Sequence, residues 1–229
     1  MLELELVVFD MAGTVVVDDG QVPAAFTTAL SSRGFDITTE QIKNVRGSSK
    51  RQAILSLIPP GPGQVQLAGE VYAAFKDHLA QQYAARGVRA IPGAQQIFDL
   101  LRRQGARVVL NTGFDRDTTG ILLNALAWDN EIVDGVVCGD DVKQGRPAPY
   151  LIFRAMESVG VWDVHKVANV GDTVLDLQAG YHAGVRWNIG VLSGAHDRQT
   201  LETAPYTHIF ASVADLNRLW LEEFHDRRG

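Results

Sequence analysis

The chain has a single cysteine, Cys138, so it cannot form an internal disulfide, and no run approaches the roughly 20 apolar residues of a membrane-crossing helix. Its first residues, MLELELVVFD, lack the basic start and long apolar stretch of a secretory signal, and a reducing cytoplasm is the expected location. Positive charge is scarce as well. With a formal net charge of −6 over 229 residues, there is no excess of Lys and Arg to displace counterions from nucleic-acid phosphates, so neither DNA nor RNA is an expected partner. The six histidines show no metal-ligand spacing, and no Gly-x-Ser-x-Gly nucleophile elbow occurs. The only Gly-x-Gly, at Gly61 and Gly63, lies between helical segments rather than after a strand, which excludes the dinucleotide-binding fingerprint. What is present is a balanced composition, 46% apolar and 21% charged, enough to bury a sizeable core.

Two zones separate along the chain. Residues 4–9, apolar but for Glu5, end at Asp10, which reads as a buried strand feeding a tight loop, Met11-Ala12-Gly13-Thr14. From Val22 to about Gly87 the periodicity is helical throughout, over residues 23–33, from Thr39, over 48–58 and over 64–86, with the breaker Pro59-Pro60-Gly61-Pro62-Gly63 before the last segment. From Ile91 onwards helices and short strands alternate. Helices are expected at 92–104, 115–127, 149–159, 174–183 and from Val213, and strands at 106–110, 135–137, 167–170, 185–191 and 207–210. This alternation predicts an α/β doubly wound parallel sheet. The first strand has no partner in the helical zone and must join that sheet, which makes residues 17–88 an inserted all-helical cap domain on a core of residues 1–16 and 89–229.

Ligands of open parallel sheets bind at the carboxyl ends of the strands. Asp10 follows the first strand, Asn111-Thr112-Gly113 the second, and Gly171-Asp172-Thr173 with Asp176 the fourth. Taken singly, each has a plain explanation as a cap or turn residue. Together they bring carboxylates to one edge, where they repel unless a cation intervenes, and oxygen-only ligands select a hard ion such as Mg2+. The turn Gly145-Arg146-Pro147-Ala148-Pro149 offers a guanidinium fixed by prolines, able to face the same edge and grip a phosphate bidentately.

In order and spacing, Asp10-Met11-Ala12-Gly13-Thr14, Thr112-Gly113, Arg146-Pro147 and Gly171-Asp172-Thr173-x-x-Asp176 resemble the four motifs of the haloacid dehalogenase superfamily. Within it the sequence looks most like the phosphonoacetaldehyde hydrolases (phosphonatases). The features are Ala12 in place of a second Asp, Arg at position 146 instead of Lys, the stretch from Gly145 to Pro149, and Gly47-Ser48-Ser49-Lys50 in the cap.

The resemblance implies that Asp10 is a nucleophile forming an aspartyl-phosphate, that Mg2+ is held by Asp10, the carbonyl of Ala12 and Asp172 with Asp176 behind them, that Thr112 bonds a phosphoryl oxygen, and that Arg146 supplies fixed positive charge. It also places Gly13, Thr14, Arg46 and Gly113 around the phosphoryl group or substrate, and Lys50 as the amine of an imine with a carbonyl substrate. Ala12 cannot transfer protons, so alkyl-phosphate hydrolysis is disfavoured, whereas a C–P bond needs an electron sink and not a leaving-group acid.

Two positions depart from the phosphonatase pattern: Arg46 stands where those enzymes carry Met, and Ala53 where they carry His. Three functions therefore stand open. The first is a Mg2+-dependent phosphonatase-like hydrolase, the second a phosphomonoesterase of the phosphoglycolate phosphatase kind, and the third a non-catalytic phospho-acceptor module. The expected partner is a small organophosphorus molecule, with the protein a monomer or homodimer.

Overall fold

In the computed structural model, residues 4–218 are described. Six parallel strands form one sheet in the order β3-β2-β1-β4-β5-β6, namely β1 (Leu6–Asp10), β2 (Arg107–Asn111), β3 (Gly135–Val137), β4 (Val167–Gly171), β5 (Trp187–Val191) and β6 (His208–Phe210). The chain runs outward from β1 through β2 to β3, then returns to the other side of β1 for β4, so its direction switches between β1 and β4. That switch point is where a doubly wound sheet opens a crevice.

Strand β1 shows why an unbroken apolar run suits this position. Val7 and Phe9 join the larger core cluster with Ile97, Phe98 and Leu101, while Leu6 and Val8 face the other side, against Leu151, Ile152 and Ala155. Both faces are covered by helices, so no polar alternation is possible. The covering helices include α5 (Ala94–Arg103), α6 (Arg116–Leu126), α7 (Tyr150–Val159) and α8 (Val174–Ala183), in line with the expected alternation.

Between β1 and α5 lie four helices and no named strand: α1 (Gln21–Ser31), α2 (Thr39–Val45), α3 (Lys50–Leu57) and α4 (Gln64–Arg86). Buried residues of α4 recur at Ala68, Val71, Tyr72, Phe75, Leu79 and Tyr83, a stripe at helical spacing, and the Phe75 ring meets that of Phe26 on α1 with centroids 4.6 Å apart. The chain leaves and re-enters the sheet layer along paired backbone, where Val17 N–H donates to the Arg89 carbonyl and Ile91 N–H to that of Val15.

Element boundaries differ from expectation in instructive places. Helix α1 starts at Gln21, two residues before Pro23, because Val22 N–H has an acceptor in Asp18 Oδ1 and Pro23 falls in the first turn, where a missing N–H costs nothing. A short α9 (Arg198–Leu201), capped by Asp197, is too brief to leave a periodic pattern. The expected terminal helix from Val213 opens as a 3-10 turn at Val213–Asp215, and its part beyond 218 lies outside the described residues. No helix among the described residues is long and apolar enough to cross a membrane.

Candidate active site

Asp10 ends β1, in register with Asn111 at the end of β2, and Asp172 follows β4 on the other side. Parallel pairing alone therefore sets three polar side chains at one edge. The loop after Asp10 is tightened by the Met11 carbonyl, which accepts from the N–H groups of Thr14, Val15 and Val16. Gly13 has φ +99°, and a Cβ there would lie 2.4 Å from Asp172 Oδ2, so the position needs glycine on both counts. Gly13 and Thr14 were expected at the phosphoryl group, yet their N–H groups are spent on the Val16 and Met11 carbonyls. Both also stand against Asp172, Thr14 Oγ1 donating to Asp172 Oδ1 at 3.1 Å.

Asp10, Asp172 and Asp176 are buried and bring one oxygen each within 4.8 Å of one another. Asp172 accepts from Thr14 and, at 2.7 Å, from Ala195 N–H in the loop after β5. Asp176 closes a capping box with Thr173 at the start of α8, accepting from both its N–H and its hydroxyl. Burial, reinforced by the neighbouring carboxylates, pushes the Asp172 carboxyl up to about 7 and that of Asp176 up to about 6. Three buried carboxylates against one shared guanidinium form an under-compensated, all-oxygen set, and such a set suits a hard divalent cation.

A consequence for stability follows from the direction of these shifts. Between about pH 4 and 7 the folded protein keeps protons that the unfolded chain has lost, so in EDTA its stability should fall as pH rises through that window. Added Mg2+ should offset this, raising the melting temperature in thermal unfolding more at pH 8 than at pH 5. Equal shifts at both pH values would mean that the carboxylates do not hold the ion.

Arg146 is buried at the centre of the cluster. Its Nη1 lies 2.7 Å from Asp10 Oδ1 and donates to the Gly47 carbonyl at 3.1 Å, its Nε lies 2.9 Å from Asp176 Oδ1, and its Nη2 donates to the main-chain and side-chain oxygens of Asn111. All three nitrogens thus have protein partners, and the bidentate phosphate grip expected from sequence has no free edge here. What remains is fixed charge beside the nucleophile position, with Asp10 Oδ2 left free of any hydrogen bond or ion pair among the described residues. Thr112 Oγ1 accepts from Phe114 N–H, which leaves its hydroxyl hydrogen for a ligand oxygen.

The 46–50 segment closes over this edge from the helical insertion. Lys50 N–H donates to the Gly113 carbonyl at 3.1 Å, a Cβ on Gly113 would lie 2.3 Å from the Ser48 oxygen, and a Cβ on Gly47 would lie 2.2 Å from Thr173 Oγ1. Glycine lets backbone meet backbone at Gly113 and lets the segment seat on the Thr173 side chain at Gly47. The Lys50 side chain is buried, with Nζ 3.3 Å from the Ser48 carbonyl and 4.9 Å from the centre of the Phe114 ring. Burial, then the Arg46 charge, lowers its ammonium pKa to about 8, with Asp10 opposing. At pH 7 about a tenth of such an amine is neutral, against well under one in a thousand at an ordinary lysine pKa. Arg46 is held by an ion pair to Asp18 at 2.7 Å.

Asp10, Ala12, Arg46, Lys50, Thr112 and Arg146 line a common cavity of only about 10 Å³. That is room for one water at most, so a phosphoryl compound enters only if the lining opens. Sequence reasoning missed Asp18, which fixes Arg46, and the loop 193–196, whose Ala195 and His196 N–H groups both bond to Asp172. Neither leaves a local signal, since each acts on a residue distant in the chain. Asn111 was noted at its strand end but not as the anchor of Arg146.

The chain matches the haloacid dehalogenase-like hydrolase family over residues 4–184. It is 29% identical over 231 aligned residues to a phosphonoacetaldehyde hydrolase of Bacteroides fragilis, covering 96% of this chain and 87% of that one. Among solved structures it is similar to a hydrolase from Pseudomonas syringae, at TM-score 0.85 and 24% identity over 95% of this chain and 98% of the other. A phosphonoacetaldehyde hydrolase-like protein from Oleispira antarctica gives TM-score 0.84 and 22% identity, covering 96% and 92%.

Proposed function

The chain belongs to the haloacid dehalogenase-like hydrolases, and from that premise we propose that it is a Mg2+-dependent hydrolase that cleaves the C–P bond of a small carbonyl-bearing phosphonate, with phosphonoacetaldehyde as the reference substrate. The observation that carries this reading is Lys50, a buried amine with its pKa lowered to about 8, sharing a cavity with Asp10. The name of the Bacteroides fragilis relative supports it. In this reading residues 17–88 are the cap and residues 1–16 with 89–229 the core.

Neutral Lys50 Nζ adds to the substrate carbonyl and, with one proton taken up from solvent, expels water to give a protonated imine. Asp10 Oδ2 attacks phosphorus while Arg146 holds Oδ1. The P–C bond breaks, its electron pair enters the imine to give an enamine, and phosphorus stays on Asp10 as an aspartyl-phosphate. Protonation of the enamine carbon and hydrolysis of the imine release acetaldehyde and restore Lys50. Water then hydrolyses the aspartyl-phosphate to inorganic phosphate. Asp10, Asp172 and the Ala12 carbonyl would hold Mg2+, with Asp176 behind them, and the ion would offset charge between carboxylate and phosphoryl oxygens. Thr112 would bond a phosphoryl oxygen, and Gly113 keeps the loop close enough for the cap to seat.

Ala12 separates this reading from ester hydrolysis. A C–P bond has no leaving oxygen to protonate, so the missing carboxyl costs nothing there, whereas an ester hydrolase gives up on the order of 10² to 10⁴ in rate. Ala12→Asp should therefore raise turnover of phosphoglycolate relative to phosphonoacetaldehyde, measured as phosphate release from each. In the parent protein phosphonoacetaldehyde should yield acetaldehyde and phosphate in equal amounts. Faster turnover of phosphoglycolate by the parent, with the ratio unmoved by Ala12→Asp, would favour the phosphomonoesterase.

A further inference from the structure

Two arginines line the cavity, and they are used very differently. Every nitrogen of Arg146 has a protein partner. Arg46 is nine-tenths buried, yet only its Nη2 is engaged, by Asp18 at 2.7 Å, and Nε and Nη1 have no hydrogen bond or ion pair among the described residues. Asp18 is itself fixed, since its other oxygen accepts from Val22 N–H at 3.1 Å. Two nitrogens of a guanidinium in the cavity wall are thus without a protein acceptor among the described residues, which leaves them available to a ligand.

The placement tells which end of the ligand that is. The cavity is acidic at Asp10 and Asp172, where the phosphoryl group and its cation belong, and basic at Lys50 and Arg46. Lys50 takes the carbonyl carbon in the reading above. Arg46 lines the same cavity and is the group left to meet a second substituent on that carbon. The hydrogen of an aldehyde offers Arg46 nothing, whereas a carboxylate is the planar two-oxygen acceptor that a guanidinium pairs with best.

We propose that Arg46 is a specificity-determining residue that binds a carboxylate on the substrate's carbonyl carbon, so that the substrate class is a 3-phosphono-2-oxo acid. The proposal rests on the imine reading. The chemistry is the same and balances: the 2-oxo acid and Lys50 form an imine with loss of water, the P–C electron pair enters that imine, a proton from solvent completes the methyl group, and two waters release a 2-oxo acid and phosphate. One of those two replaces the water lost in imine formation, so the net reaction consumes one.

The test uses products as probes, which separates the two claims. The full-length protein with Mg2+ is treated with borohydride and either pyruvate or acetaldehyde, and adducts on the Lys50 peptide are quantified by mass spectrometry, with Lys50→Arg as blank. Although aldehydes are intrinsically more reactive than ketones towards amines, pyruvate is expected to label Lys50 at least as well as acetaldehyde. In Arg46→Met the pyruvate-to-acetaldehyde ratio should fall about a hundredfold, and so should the ratio of kcat/KM for 3-phosphonopyruvate over phosphonoacetaldehyde. Because Arg46→Met strands a buried Asp18, the double variant Arg46→Met/Asp18→Asn is measured beside it and should show the same fall. Labelling by acetaldehyde but not by pyruvate, or a ratio unchanged in a folded variant, overturns the carboxylate assignment and leaves the imine reading standing. No labelling by either, with turnover of phosphoglycolate, overturns both.

Discussion

Asp10→Asn is expected to fold like the parent and to lose phosphate release by a factor on the order of 10⁴ or more, the scale on which deleted nucleophiles fall. An amide oxygen is a poor nucleophile and a weak ligand for a hard cation, so the substitution removes bond formation to phosphorus and one of three buried carboxylates at once. It also removes the charge facing Arg146 Nη1. Because Asp176 and Asn111 still hold the guanidinium, the local frame should survive. The assay is phosphate release under saturating substrate, with circular dichroism and thermal unfolding as controls for folding. Substantial activity in Asp10→Asn would place the nucleophile elsewhere.

Lys50→Arg tests the other half of the chemistry. The guanidinium keeps the positive charge over Phe114 but cannot form an imine, and it stays protonated at any working pH. If Lys50 only contacted an anion, the loss would be about tenfold, the ~1.4 kcal/mol of one altered polar contact. Under the imine mechanism C–P cleavage should instead fall to background, at least a thousandfold by the scale of lost covalent catalysis. The parent's pH profile carries the same information. Because the amine must be neutral to attack, kcat/KM should rise with pH along a limb centred near the lowered Lys50 value of about 8. Replacing Arg46 by a neutral residue should move that limb to higher pH, since its charge is the second cause of the lowering.

The order of elements was legible because the sheet buries both faces of its strands, which leaves uninterrupted apolar runs, and because Gly and Pro punctuate the connections. Boundaries slipped by a residue or two where a single local bond, such as Val22 N–H to Asp18 four positions earlier, decides where a helix starts. The acidic edge was legible for a related reason. Asp10, Thr112 and Asp172 sit at or just after strand ends, and parallel pairing leaves them no other place to go. Backbone donors and shared guanidinium edges were not legible in the same way. Whether the N–H of Gly13 faces a ligand or the Val16 carbonyl depends on how the loop folds back, and whether Arg146 has a free edge depends on Asn111, Asp176 and Gly47, 30 to 99 positions away. The pair Arg46 with Asp18 is of the same kind, invisible until the helical insertion packs against the loop after β1.

If Lys50 and Asp10 act together on a carbonyl phosphonate, trapping during turnover reveals it. The protein is incubated with Mg2+ and phosphonoacetaldehyde, borohydride is added during turnover, and the residual activity and the modified peptide are determined. Inactivation should need both substrate and borohydride, with a reduced two-carbon adduct on Lys50 and none on Lys43 or Lys76. Full activity after that treatment, with phosphate still released and Lys50 unmodified, would contradict it.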